Sequence, residues 1–155
     1  MYLVDTNVIS AGAPSKAVSA AELVRWMDDH STRLYLSVVT VAEVEDGIAK
    51  ARRERARNKA ANLTAWLDTL LHLYGDRVLA FDVTAARVAG ELSDLARSKG
   101  FAPGFADIVI GATARTRQLI ILTQNIRHFA PLGIPTVNPF RELPALTDHM
   151  EDEAG

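Results

Sequence analysis

The stretch ADIVIGATARTRQLIILTQN, residues 106–125, decides how the rest of the chain is read. From Asp107 to Arg117 it carries small residues (Gly111, Ala112, Ala114) at helix-compatible spacing, as expected of a helix packed closely inside a protein. LIILT, residues 119–123, follows at once as an unbroken apolar run of strand length. Such runs mark strands covered on both faces, the kind found in parallel sheets.

The same rhythm extends in both directions. Tyr2–Val4 reads as a first strand, LYLS (34–37) after Arg33 as a second, VLAF (78–81) as a third and Pro135–Val137 as a fifth. Helices are expected over residues 17–28, with Ala21, Val24 and Met27 on one side, and from Thr40 onward. Another is expected over 51–74, where Leu63, Leu67, Leu70 and Tyr74 share a face and Gly75 ends the run. A further helix starts at Asp82 and stops near Lys99, before Gly100. Strands separated by helices imply an α/β fold around a mainly parallel sheet. Residues 1–147 read as a single domain without repeats or linkers. Residues 148–155, with four acids in eight positions, read as a flexible acidic tail.

Composition narrows the chemistry. At 155 residues, 48% apolar and 23% charged, the chain can bury a real core. A net charge of −2 gives no global pull toward nucleic acid, so any such binding rests on a local patch. The absence of cysteine removes disulfides, thiol nucleophiles and thiolate zinc sites. No stretch approaches the roughly 18 apolar residues of a membrane span, and Asp5 interrupts the N-terminal apolar run, so a cytoplasmic protein is expected.

Four acids fall at element boundaries: Asp5, Glu43, Asp82 and Asp107. Asp82, between a strand and VTAARVAGEL, is expected to be a helix N-cap. Thr40 and Glu43 have the spacing of a capping box, while the strand before them would also carry Glu43 to the same sheet edge as Asp5. Asp5 itself either begins a turn or belongs to a site at the carboxyl end of the sheet. Asp107 opens a helix, where the dipole favours an acid.

These segments, in this order, resemble the PIN-domain proteins, most closely the VapC and FitB group of toxin ribonucleases. The resemblance is carried by VDTNVIS (4–10), LYLSVVTVAEVEDGI (34–48), FDVTAA (81–86), ADIVIGATA (106–114), ILTQNIRHF (121–129) and NPF (138–140). It implies a three-layer α/β/α fold and an endoribonuclease that hydrolyses RNA phosphodiesters with a metal-activated water. It further implies a homodimer restrained by a small DNA-binding antitoxin. Position by position, Asp5, Glu43 and Asp107 match the family's catalytic, metal-holding acids. The last family element usually reads T-x-N-x-x-D-F or T-x-D. Here it reads Thr123-Gln-Asn125-Ile-Arg-His128-Phe129, so Asn125 would assist the metal and no carboxylate appears in this element.

Mg²⁺ or Mn²⁺ suits such residues, because hard ions prefer oxygen donors and relieve the repulsion of clustered acids. Of the histidines at 30, 72, 128 and 149, only His128 lies near the site, where an acid–base role is open. KARRERARNK (50–59) reads either as a solvated helix surface with pairs such as Glu54 and Lys50, or as a contact for RNA phosphates or an antitoxin. Trp26 and Trp66 read as packing residues. Thr6, Asn7 and Thr123 either orient the acids or close turns. Two rivals stand beside the nuclease. One is a catalytically weak or inactive interaction module of the same fold, suggested by Asn125. The other is a phospho-accepting signalling domain, disfavoured because no adjacent acid pair follows the first strand and no lysine follows a later one.

Overall fold

A computed structural model describes residues 1–14 and 20–145. Five strands, β1 (Tyr2–Val4), β2 (Leu34–Ser37), β3 (Val78–Leu79), β4 (Ile120–Leu122) and β5 (Thr136–Val137), form one sheet in the order β3-β2-β1-β4-β5. Every pairing is parallel. Seven α-helices connect them among the described residues: α1 (Thr6–Ile9), α2 (Ala21–Asp29), α3 (Val38–Arg53), α4 (Arg57–Tyr74), α5 (Val83–Ser98), α6 (Phe105–Arg117) and α7 (Ile126–Phe129).

Side chains alternate across the sheet, and this alternation makes the three layers. In the β1–β4 register Leu3 faces Ile121 and Val4 faces Leu122. Leu3 and Ile121 pack with Leu92 of α5, Ile108 and Ala112 of α6, and Phe129 of α7. Val4 and Leu122 turn the other way, onto Val8, Leu23, Trp26 and Met27 with Leu34 and Leu36. A third cluster joins α3 to α4 through Val44, Ile48, Leu63 and Leu67. The expected three-layer α/β/α architecture is therefore present, and α6 can lie close to its neighbours because Gly111 has no side chain. A Cβ there would stand 2.8 Å from Ile134 Cδ1.

Several local expectations change. The helix expected from Thr40 starts at Val38, with the Ser37 side chain accepting from the Val39 N–H as N-cap. The Thr40–Glu43 capping box is therefore not formed, and Glu43 sits in the second turn of α3, free to face the sheet edge. The long helix from Ala51 does not exist as one piece. α3 runs on to Arg53, Arg55 takes a left-handed φ of 61°, and α4 begins at Arg57. On α2 the buried residues are Leu23, Trp26 and Met27, with Ala21 exposed. VLAF shortens to a two-residue strand. Asp82 does cap α5, accepting from the Ala85 N–H at 2.9 Å. Residues 17–19 of the first expected helix and the acidic tail 148–155 lie outside the described residues.

The chain moves from β1 outward to β2 and β3, then returns past β1 to β4 and β5. The direction of winding thus reverses between β1 and β4. Open parallel sheets bind their ligands at the carboxyl edge of such a reversal.

Candidate metal centre

Asp5 occupies that reversal point. It follows β1, and its backbone N–H continues the ladder by donating to the Leu122 carbonyl at 2.9 Å. Its side chain caps α1 and is only 4% exposed. Both carboxylate oxygens are held. Oδ1 accepts from the Thr6 N–H at 2.8 Å; Oδ2 accepts from the Thr123 hydroxyl at 2.7 Å and from Asn7 Nδ2 at 3.1 Å. Burial pushes the Asp5 carboxyl above the ordinary aspartate range; the charge of Asp107 adds to the rise, and the bonds from Thr123, Thr6 and Asn7 oppose it.

The residues around Asp5 lock the β1 and β4 ends together. Asn7 Oδ1 accepts from the Gln124 N–H at 3.1 Å, so its amide spans from Asp5 to the loop after β4. Thr123, fully buried, also accepts from the Asn125 N–H at 2.9 Å. Of the two readings open for Thr6, Asn7 and Thr123, the geometry supports orientation of the acid, because each touches its carboxylate directly.

Glu43 joins through one intermediary. The Thr6 hydroxyl donates to Glu43 Oε1 at 2.7 Å and lies 3.1 Å from the Thr40 hydroxyl. Thr40, buried at the foot of α3, thus acts in this network and not as a cap. A buried threonine three residues before the acid was visible in the sequence, but its capping-box spacing pointed elsewhere.

Asp107 lies in the first turn of α6, near enough for its charge to act on Asp5. His128 of α7 approaches it, with Nδ1 2.9 Å from Asp107 Oδ2; with its proton on Nδ1 the ring donates to the carboxylate. Both side chains are partly exposed, at 36% and 22%. Asn125 precedes α7 and is partly buried, and its described link to the network is the backbone N–H. The structure therefore brings all four sequence-selected residues to one sheet edge, as a chain of contacts. Among the described residues, no three of the His, Asp and Glu side chains stand close enough to ligate one ion together.

The five-stranded parallel sheet flanked by helices is the PIN-domain fold of α/β proteins. The sequence profile of the PIN domain family matches residues 2–132, and the chain belongs to that family. It is 34% identical over 142 residues to the plasmid stability protein StbB of Pseudomonas syringae pv. tomato, covering 90% of this chain and 99% of that one. It is 33% identical to the VapC ribonuclease Y4jK of Sinorhizobium fredii, over 90% of this chain and 98% of the relative. Among solved structures, FitAcB from Neisseria gonorrhoeae superposes with a TM-score of 0.78 at 31% identity, covering 90% of this chain and 99% of that one. The FitAB complex bound to an IR36 DNA fragment superposes with a TM-score of 0.75 at 28% identity, over 96% and 99%.

Proposed function

We propose that this chain is the toxin of a toxin–antitoxin pair and a Mg²⁺- or Mn²⁺-dependent endoribonuclease. The observation that carries the reading is Asp5, a carboxyl aimed by three neighbours whose pKa is raised by burial first and, to a smaller degree, by the charge of a second carboxylate, Asp107. Such an arrangement is electrostatically unfavourable alone and is relieved by a cation. The donors are all oxygen, which fits a hard divalent ion, and Mg²⁺ commonly takes only one or two carboxylates, filling its other positions with water. Asp5 and Asp107 would hold the ion. Glu43, joined through Thr6, and Asn125 would act from its surroundings. Bound there, the ion supplies Lewis acidity toward a water and a phosphate oxygen. The protein's own work is to keep Asp5 ionised and pointed, through Thr123, Asn7 and the Thr6 N–H. It also restrains Asp107 through His128 and withholds bulk water from the buried end of the site.

The names of the relatives support the biological setting: a VapC ribonuclease, a FitB toxin and a FitAB complex on DNA. We extend to this chain a DNA-binding antitoxin partner and a place in the cytoplasm. Among the described residues no helix is long and apolar enough to cross a membrane. The test is cleavage of a structured RNA panel by the wild type and Asp107→Asn, with Mn²⁺ and with EDTA. Cleavage that needs Mn²⁺ and is lost in Asp107→Asn is the expected outcome; equal cleavage in both proteins sinks the reading.

A second reading, a catalytically weak interaction module, is favoured by one feature: the element after β4 presents Asn125 and His128 without a carboxylate, and His128 engages Asp107. It predicts no metal-dependent cleavage but intact antitoxin binding. For either reading we extend a homodimer to this chain, supported by exposed Val38, Val83 and Phe105 at the carboxyl edge, where Phe81 and Phe105 meet edge to face at 6.3 Å. Light scattering should return twice the protomer mass, and a monomer mass at micromolar concentration would remove this element.

A further inference from the structure

We propose that the groove between α1, α3 and α4 carries the RNA strand flanking the scissile phosphate, with Lys50 and Lys59 pairing its phosphates. This inference rests on the nuclease reading above and adds to it where the substrate runs.

A cavity of about 280 Å³ begins at Thr6 and Glu43, inside the acidic network, and ends at Lys50, Glu54 and Lys59. Its two ends therefore differ in charge: the acid Glu43 at one, two lysines against one glutamate at the other. From Glu43 to Lys50 the α3 axis advances by about 10 Å, a distance that a single strand leaving the site must cross. Beyond Lys50 the hairpin tip adds Arg53, Arg55 and Arg57. None of these three, nor Lys59, has an acidic partner within ion-pair distance among the described residues. The pairs that do form are loose and solvent-exposed, Lys50 with Glu54 at 4.0 Å and Arg52 with Glu45 at 3.9 Å. Exposed pairs of that kind hold their partners weakly, so Lys50 is available to a phosphate.

The opposite flank argues the same direction by contrast. There a cavity of about 510 Å³ lies against Asn7 and Gln124, also next to the acids. Its walls include Glu22, Leu23, Phe140 and Leu143, and among the described residues no lysine or arginine lines it. Of these two cavities beside the acids, the one lined by lysines among the described residues is on the α3–α4 side. Phosphate pairing gives affinity without sequence choice, so this groove would position the strand and leave the selection of the cleavage site to other contacts.

The test separates binding from cleavage. A fluorescein-labelled single-stranded RNA of mixed sequence is titrated in EDTA against the wild type, Lys50→Glu/Lys59→Glu, the charge-neutral Lys50→Gln/Lys59→Gln, and Arg97→Glu on the exposed face of α5 as control. Both double variants should bind about tenfold more weakly, with the slope of log affinity against log salt smaller by about 1.4, since each phosphate contact on a single strand contributes about 0.7. Arg97→Glu should bind as the wild type does. Unchanged affinity and slope in the double variants, with melting temperatures retained, remove the groove from the RNA path and overturn the proposal. In that case Mn²⁺-dependent cleavage by the wild type still upholds the nuclease reading. A wild type that neither binds nor cleaves RNA overturns both.

Discussion

Asp5→Asn should reduce Mn²⁺-dependent RNA cleavage by about a thousandfold or more while leaving the fold intact. The magnitude follows from the ion's share of transition-state stabilisation, several kcal/mol, at 1.36 kcal/mol per tenfold. Asparagine nearly matches aspartate in shape, so the residue can still cap α1 and accept from the Thr6 N–H. What it loses is charge and one acceptor oxygen. Asn7 Nδ2, now donating to Asp5 Oδ2, would face an amide nitrogen or be forced to turn, and its hold on the Gln124 N–H would weaken with it. The measurement is initial rate at saturating Mn²⁺, with circular dichroism as the control for folding. A variant within tenfold of wild type would mean that Asp5 is structural, and the proposed centre would lose its principal residue.

The second large effect is on heat stability. At pH 7.5, Mn²⁺ at a hundred times its dissociation constant should stabilise the protein by about 2.7 kcal/mol, a rise of about 5–10 °C in Tm for a domain of this size. The sign of the pH dependence follows from Asp5, whose folded-state pKa is raised by burial first and by Asp107 second. In the metal-free protein this makes ionised Asp5 a destabilising group. The penalty is fully present above its folded pKa, shrinks as pH falls through that value, and is gone below the unfolded one. Protons compete with the ion for the same carboxylate. The Mn²⁺-induced rise should therefore begin to fall away at a higher pH than an ordinary aspartate would allow, and shrink steadily as the pH falls further. Differential scanning fluorimetry with and without Mn²⁺ as the pH is lowered checks it; a shift independent of pH would place the ion away from Asp5.

Much of the fold is legible in the sequence, and the departures from it have a common cause. LIILT and LYLS are apolar enough to specify buried strands unaided, and Asp82 follows a strand directly and caps the next helix as its position implies. The break at Arg55 is invisible in the sequence because ARRERARN contains no glycine or proline and every residue but Asn58 is a good helix former. The helix breaks there because Val44 and Ile48 can bury themselves against Leu63 and Leu67 only if the chain folds back. Tertiary packing overrides propensity at that point. Glu43 misled in the other direction: its spacing from Thr40 satisfies a local rule, but Ser37 caps the helix first and releases both residues to the network. That release could not be read locally, since it depends on Thr6, 37 residues away from Glu43. His128 was recognised as near the site, yet its direct approach to Asp107 depends on how α6 and α7 meet in space.

The sheet also has a property that concerns what the protein avoids. Its two outer strands, β3 and β5, are only two residues long each. Exposed strand edges are templates on which other chains can pair through their backbones, and very short ones offer little to pair with. Self-association through sheet extension is thereby blocked at both margins. Any partner the chain takes is then recognised chiefly by side-chain chemistry and not by backbone pairing at the sheet margins. That confines its associations to surfaces that sequence can specify and reduces the chance of runaway fibre growth if a partner is lost.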